Sequence, residues 1–273
     1  GRMPIPEREH NPYVEAFWEW WPDLYPALHT FRVTGGEPLM NKNTFKMMDW
    51  IINTETPNTN LLLGINSNFC VEDKLFDRFI DRSKQVLASG KVRKLEVYTS
   101  AEAFGNKAEY IRTGLDYKKF MKNVDFVLNE FKDEPNFSIT FMCTYNALSV
   151  TTFKDFLIDL IKLRKTYGRD CMYIDIPFLR YPEMMDVKVL DDSFEKYMTD
   201  TVTYMEQNES EGLMHSSETD KLKRIIEYWR SQRTVDHTNH RKNFKVYTAE
   251  LDTRRNTVFA DVFPEYMQWF DAI

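Results

Sequence analysis

Gly35, Gly36, Glu37 and Pro38 stand together at the end of an alternating run in the segment HTFRVTGGEPLM. Paired glycines let the backbone approach another group closely, while proline removes a donor and favours a turn. The glycine carbonyls and the Glu37 carboxylate are acceptors, and their natural partner is an ammonium group. Farther along, Ser100 and Glu102 in YTSAEA are followed, ten residues on from Glu102, by Arg112 in AEYIRTG. A guanidinium holds a carboxylate through two parallel hydrogen bonds, and a serine hydroxyl can donate to the same group. Ammonium acceptors on one segment and carboxylate donors on another suit an amino-acid zwitterion. Asn66, Asn68 and Asn146 add amide groups of the kind that meet a ribose or a base edge. Taken alone, Arg112 has a plainer reading as a surface ion pair. The shared placement of these residues at strand ends is what favours a site.

The elements that position them alternate along the chain. Segments 30–35, 61–67, 93–99, 137–144 and 172–178 read as strands, and NLLLGINSN is a continuous apolar run of the kind found in a buried parallel strand. Between them lie helices with apolar residues at helical spacing. NTFKMMDWII carries Phe45, Met48, Ile51 and Ile52, and YKKFMKNVDFVLNEF carries Phe120, Val124, Val127, Leu128 and Phe131. DKLFDRFIDRSKQVLAS stops at Gly90, and TFKDFLIDLIKLRKTYG ends at Gly168. Before the first strand, NPYVEAFWEWWPDL reads as an aromatic helix capped by Asn11 with Pro12 at its first position. Strands separated by helices of this length imply βαβ units and a parallel sheet, with ligands at the carboxyl ends of the strands. Those ends read TGGEP, NSN, TSAEA, TYN and DIPF, and all are polar. After residue 186 the rhythm breaks. DDSFEKYMTDTVTYMEQ and SETDKLKRIIEYWRSQR read as two capped amphipathic helices, and the tail from Phe244 shows no clear period.

The chain has 273 residues, 42% hydrophobic and 15% aromatic, enough for one large α/β domain with an extension. A net charge of -6 argues against broad nucleic-acid or membrane-surface binding. No apolar run approaches the roughly 18 residues that span a bilayer, and GRMPIPEREH has no apolar leader, so the expectation is a cytoplasmic protein. Cys70, Cys143 and Cys171 match no metal-ligand spacing, and buried or half-buried thiols are expected of them. His237 and His240 in HTNH are read as part of a solvated polar loop.

FRVTGGEPLM resembles the GGEP motif of radical S-adenosylmethionine (SAM) enzymes, which ends a strand of a partial (β/α)6 barrel and holds the SAM amino group. GINSN and YTSAEA are similar to the polar ends of the family's next two strands. GNKAEYIRTGLDYKKFMKN is similar to the region in which an arginine reaches the SAM carboxylate. AEYIR, GLDY, LDTRR and VFPEY together resemble the twitch-domain radical SAM subgroup. The resemblance implies a TIM-like partial barrel over residues 1–185, lacking its first strand, and a mostly helical C-terminal extension over 186–273. It implies that Gly35, Gly36 and Glu37 take the ammonium group and that Ser100 and Arg112 take the carboxylate. Pro38, Asn66, Asn68 and Glu102 complete the set, with Asn146 near the ribose and the IDIPF backbone near the adenine.

The family's CxxxCxxC loop, which ligates a [4Fe–4S] cluster through thiolates, has no counterpart here. The cluster is therefore expected in the complete protein, on polypeptide preceding this chain. The complete enzyme would generate a 5′-deoxyadenosyl radical for hydrogen abstraction, this chain alone being inactive. Its implied partners are a reductase or ferredoxin-type electron donor and a small-molecule or peptide substrate, with no membrane and no nucleic acid. Two other readings stand beside this one. One is a non-catalytic barrel that binds a nucleoside or amino acid or serves as a scaffold, as the missing cysteines suggest. The other is a hydrolase pairing Glu37 with Glu102 or Asp175, which would need a carboxyl separation that spacing does not set. Asp252, Arg254 and Arg255 of LDTRR read either as a recognition patch or as an exposed ion-pair cluster.

Overall fold

The computed structural model describes residues 10–273. The reading of residues 1–9 as lacking an apolar leader lies outside the described residues. The chain is α/β, with a sheet of five parallel strands in sequence order: β1 (Thr30–Val33), β2 (Asn58–Asn66), β3 (Val92–Thr99), β4 (Phe137–Met142) and β5 (Met172–Asp175). The register places Thr30 opposite Leu62 and Val33 opposite Ile65, and Ile139 opposite Met172. Among the described residues no helix is long and apolar enough to cross a membrane. The residues cluster into two compact units, one of 10–66 with 73–96 and one of 67–72 with 97–273.

The first unit begins with α1 (Pro12–Leu24), where the Asn11 side chain accepts from the Tyr13 N–H at 3.1 Å. Pro12 costs nothing there, because the first N–H groups of a helix lack internal partners. The helix buries Trp21 against Phe31 of β1, with ring centroids 4.8 Å apart, and the 3₁₀ turn that follows it (Tyr25–Ala27) buries Tyr25 against Trp50, 5.1 Å apart. Buried Asn58 donates to the carbonyls of Tyr25 (2.7 Å) and Leu28 (2.8 Å), so the turn between α1 and β1 is tied to the start of β2. This tie also explains why β2 begins three residues earlier than apolar content alone marks it. α2 (Lys42–Asn53) buries Phe45, Met47, Met48 and Ile51. α3 (Asp73–Ala88) buries Phe76, Phe79, Ile80 and Val86 and is followed by Gly90 at φ 66°.

The second unit holds α4 (Gly105–Ile111), α5 (Tyr117–Glu130) and α6 (Phe153–Tyr167) around β4 and β5. The stripe Phe120, Val124, Val127 and Leu128 of α5 is buried as its spacing requires. Residues from 186 onward fold into α7 (Glu195–Ser210), α8 (Ser216–Ser231), α9 (Thr238–Arg255), α10 (Phe259–Val262) and α11 (Met267–Asp271). The strongest tie among these elements is a buried ion pair. Arg164 of α6 donates through Nη1 and Nη2 to the two Glu218 oxygens of α8, at 2.8 and 2.6 Å. Glu218 also accepts from the Ile174 N–H of β5 at 2.8 Å and the His215 N–H at 2.9 Å. The outer edge of β5 thus finds an acceptor on a helix instead of on another strand.

Three readings of the C-terminal region are corrected by the structure. The tail is helical from Thr238 to Arg255, and its period is hidden because α9 buries only Phe244 and Thr248. The HTNH segment is not a solvated loop: His237 is buried where α9 begins, and His240 pairs with Glu183 at 2.7 Å. Of LDTRR, only Arg254 makes an exposed pair, with Glu250 at 2.6 Å. Asp252 accepts from Tyr110 Oη (2.9 Å), Thr257 Oγ1 (2.7 Å) and the Phe259 N–H (2.7 Å), so it fastens α4 and the start of α10. Arg255 donates to the Tyr110 carbonyl at 2.7 Å.

Candidate functional site

In the first unit, Gly35 and Gly36 follow β1 with φ of 92° and 52°, both in the left-handed region. A Cβ at either position would meet nothing within 4 Å, so the turn needs glycine for its backbone angles and not for lack of room. Both glycines are exposed. Glu37 is half-buried, and its carboxylate accepts from the Leu39 N–H at 3.2 Å, capping the short 3₁₀ turn that begins at buried Pro38. The sharp strand-to-turn geometry read from GGEP is therefore present, at an exposed turn. Asn66 ends β2, and its Oδ1 accepts from Arg32 Nε at 2.9 Å. Beside the turn lies a cavity of about 280 Å³ walled by Phe17, Trp18, Phe31, Val33 and Met47, to which Gly35 and Pro38 contribute. Trp18 Nε1 donates to Asn43 Oδ1 at 3.1 Å, and Lys46 Nζ lies 4.1 Å from the centre of its ring. Such walls suit a flat apolar group.

In the second unit, the carboxylate at Arg112 is the chain's own. Arg112 Nε and Nη2 both donate to Glu102 Oε2, at 2.9 and 2.5 Å. Glu102 is only 3% exposed, whereas the Arg112 side chain is 32% exposed. Burial pushes the Glu102 carboxyl above its usual range, and the Arg112 charge opposes that rise. The pair thus fixes Arg112 from one side and leaves Nη1 outside these bonds. Ser100 is half-buried directly after β3. Asp175 at the end of β5 is paired with Lys221 at 2.5 Å, so the two acids considered as partners of Glu37 for a hydrolase each hold a cation of their own.

The asparagines are more committed than their types suggest. Asn146 is buried, with Oδ1 accepting from the Leu148 N–H (2.9 Å) and Nδ2 donating to the Thr144 carbonyl (3.0 Å). Its amide thus shapes the loop after β4. Asn68 is exposed and accepts from the Cys70 N–H at 2.8 Å. In IDIPF, the Pro177 carbonyl accepts from the Tyr145 N–H at 2.7 Å and the Leu179 N–H donates to Tyr145 at 2.8 Å, prolonging the β4–β5 pairing.

Cys143 is buried, and Cys70 and Cys171 are half-buried free thiols. Burial, reinforced by the Glu102 charge, pushes the Cys143 thiol well above its ordinary value, so it is not a thiolate at neutral pH. Among the described residues no three His, Cys, Asp or Glu side chains are grouped to hold a metal ion.

Two features escape any reading of residue types. Phe69 adopts φ 55° in the loop after β2, a conformation rare for a non-glycine residue. Its ring is fully buried and its carbonyl accepts from Asn123 Nδ2 at 2.7 Å, which holds that backbone. The Arg164–Glu218 pair likewise joins residues far apart in sequence with no motif between them. No family model, no curated protein and no solved structure matches the chain.

Proposed function

We propose that the chain is the SAM-binding body of a radical SAM enzyme, a partial (β/α)6 barrel acting on a substrate by hydrogen abstraction. The observation that carries the reading is the open left-handed Gly35–Gly36 turn directly after a parallel strand, with Glu37 beside it. Its carbonyls and carboxylate are the acceptor set an ammonium group requires. In the second unit, taken by itself, the Glu102–Arg112 pair holds a guanidinium on one edge with a buried acid and keeps Nη1 for a carboxylate. Glu102 is then a positioning residue. The thiols described here do not form a cluster ligand set, so no step is assigned to a cluster on this chain. Reductive cleavage is the chemistry SAM supplies in that family. The role assigned to the Gly35–Glu37 turn is to take its ammonium group.

Calorimetric titration of SAM tests the reading. Arg112→Gln and Glu37→Gln should each weaken binding about tenfold, the scale of one charge-assisted hydrogen bond. Unchanged affinity in both variants removes the assignment. The aromatic cavity beside Gly35 favours a second reading, a non-catalytic nucleoside-binding module. In that case adenosine binds as well as SAM, Trp18→Ala abolishes binding, and the Arg112 variant leaves it intact.

A further inference from the structure

The cavity of about 280 Å³ in the first unit has a wall chemistry that narrows its occupant beyond a flat apolar group. It is larger than the roughly 150 Å³ that holds a benzene ring in a protein interior, and so has room for two fused rings. Four of its wall residues are aromatic: Tyr13, Phe17 and Trp18 of α1 and Phe31 of β1. Phe17 and Trp18 meet edge to face, with ring centroids 5.4 Å apart, and Phe17 lies nearly parallel to Phe31. An incoming ring can therefore stack on one wall and meet the edge of another. The described residues leave these rings uncovered: Tyr13 is 79% exposed, and Phe17, Trp18 and Phe31 are half-buried. None of the described residues lining the cavity carries a charge. An ionised group placed there would lose water without gaining a counter-ion, so the occupant is uncharged.

The polar side chains of the wall set what the ring must carry. Asn41 caps α2, and its Oδ1 accepts from the Asn43 N–H at 2.9 Å. The Asn43 Oδ1 in turn accepts from Trp18 Nε1 at 3.1 Å. A backbone N–H and an indole N–H can only donate, so both amide oxygens are fixed and each Nδ2 is the end left over. Neither Nδ2 has a hydrogen-bond partner among the described residues, and neither is sealed from solvent. The hydroxyls of Tyr13, Thr34 and Thr44 can donate or accept and so do not decide the matter, whereas the two NH₂ groups only donate. The N-terminus of α2, with its partial positive charge, also favours an acceptor there over a donor.

We propose that this cavity binds an uncharged planar ring system with a hydrogen-bond acceptor at its edge, a ring nitrogen or ring carbonyl, held by the Asn41 and Asn43 amides. The inference rests on the cavity behind the second reading above and does not depend on SAM binding. The test uses quinoline, which carries a ring-nitrogen acceptor, and indole, a fused pair of similar size whose ring nitrogen only donates. Each is titrated into the whole chain at neutral pH, followed by calorimetry and by the indole N–H signal of Trp18. Saturable binding of quinoline is expected, with that signal moving and indole about tenfold weaker, the scale of one hydrogen bond. Asn41→Asp/Asn43→Asp keeps the oxygen that caps α2 and the one that meets Trp18, and replaces both donors with acceptors. Its thermal midpoint should stay near that of the parent chain while the preference inverts toward indole. No saturable binding of quinoline overturns the proposal, as do equal affinities for the two probes or a folded variant that still prefers quinoline. The preference of the parent chain needs no variant, so the result stands even where the double variant fails to fold. Neither probe carries a ribose, so adenosine failing to bind where quinoline binds removes the nucleoside reading and leaves this one.

Discussion

Glu218→Gln removes one charge from the buried pair that joins α6, α8 and β5, and the consequence can be worked from its hydrogen bonds. The carboxylate accepts from Arg164 Nη1 and Nη2 and from the N–H groups of Ile174 and His215, with distances of 2.6 to 2.9 Å. Glutamine keeps one acceptor oxygen and turns an amide donor toward the remaining groups. Arg164, with a side chain 0% exposed, is left charged and without a counter-ion. Breaking such a pair from one side costs about 3–5 kcal/mol, a large share of the roughly 5–15 kcal/mol that holds a domain together. Urea denaturation followed by tryptophan fluorescence is the assay. With a slope near 3 kcal/mol per molar, the midpoint should fall by about 1–2 M. The double variant Arg164→Met/Glu218→Leu removes both charges and replaces them with apolar bulk. It should lie closer to the parent chain than Glu218→Gln, about 2 kcal/mol below it, because the two N–H groups remain without an acceptor. A midpoint shift under about 0.3 M for Glu218→Gln, or strict additivity of the two single changes, would refute the assignment of a coupled buried pair.

Gly36→Ala forces a Cβ into a left-handed backbone with open space around it, so its cost should be conformational only, about 1 kcal/mol by thermal or urea unfolding. Asp252→Ala strips the acceptor from Tyr110, Thr257 and the Phe259 N–H, and a loss of about 3 kcal/mol in urea unfolding is expected. His237 has a folded pKa lowered by burial, so the unfolded chain takes up the proton first. Its contribution is fully present above about pH 6.5 and is lost as the pH falls below that value toward the folded pKa. Substituting His237→Asn should flatten this part of a stability–pH curve, measured at fixed ionic strength because Lys188, His240 and Arg241 surround the ring.

Where the local signal was strong, sequence and structure agree in detail. Asn11 and Pro12 open α1, Gly90 and Gly168 follow α3 and α6, and the Phe120–Leu128 stripe of α5 is buried. These are features of a single turn or a single helix face, set by backbone angles, capping and apolar period. α9 was illegible for the same reason, since a helix that buries Phe244 and Thr248 among charged neighbours has almost no period to read. In the candidate site, the Gly35–Gly36 turn was legible because glycine type and backbone angle are directly linked. The state of the polar side chains was not. Asn146 is consumed by its own loop, and Arg112 already holds Glu102.

The sequence by itself determined the α/β alternation, the parallel sheet, and the polar strand ends with their glycine turn. Each follows from short-range spacing and from the physical demands of one residue type. Only the tertiary structure decided which charges are satisfied within the chain and which are left over. Arg164 meets Glu218 across 53 intervening residues, and Asp252 gathers donors from α4 and from its own C-terminal neighbours. Arg241 gives its Nε to the Val189 carbonyl, and Nδ1 of His237 is buried without a hydrogen-bond partner among the described residues. Hydrogen bonds and ion pairs act over about 3–4 Å, so whether a side chain is spent on the fold or kept for a ligand depends on neighbours that only chain packing supplies.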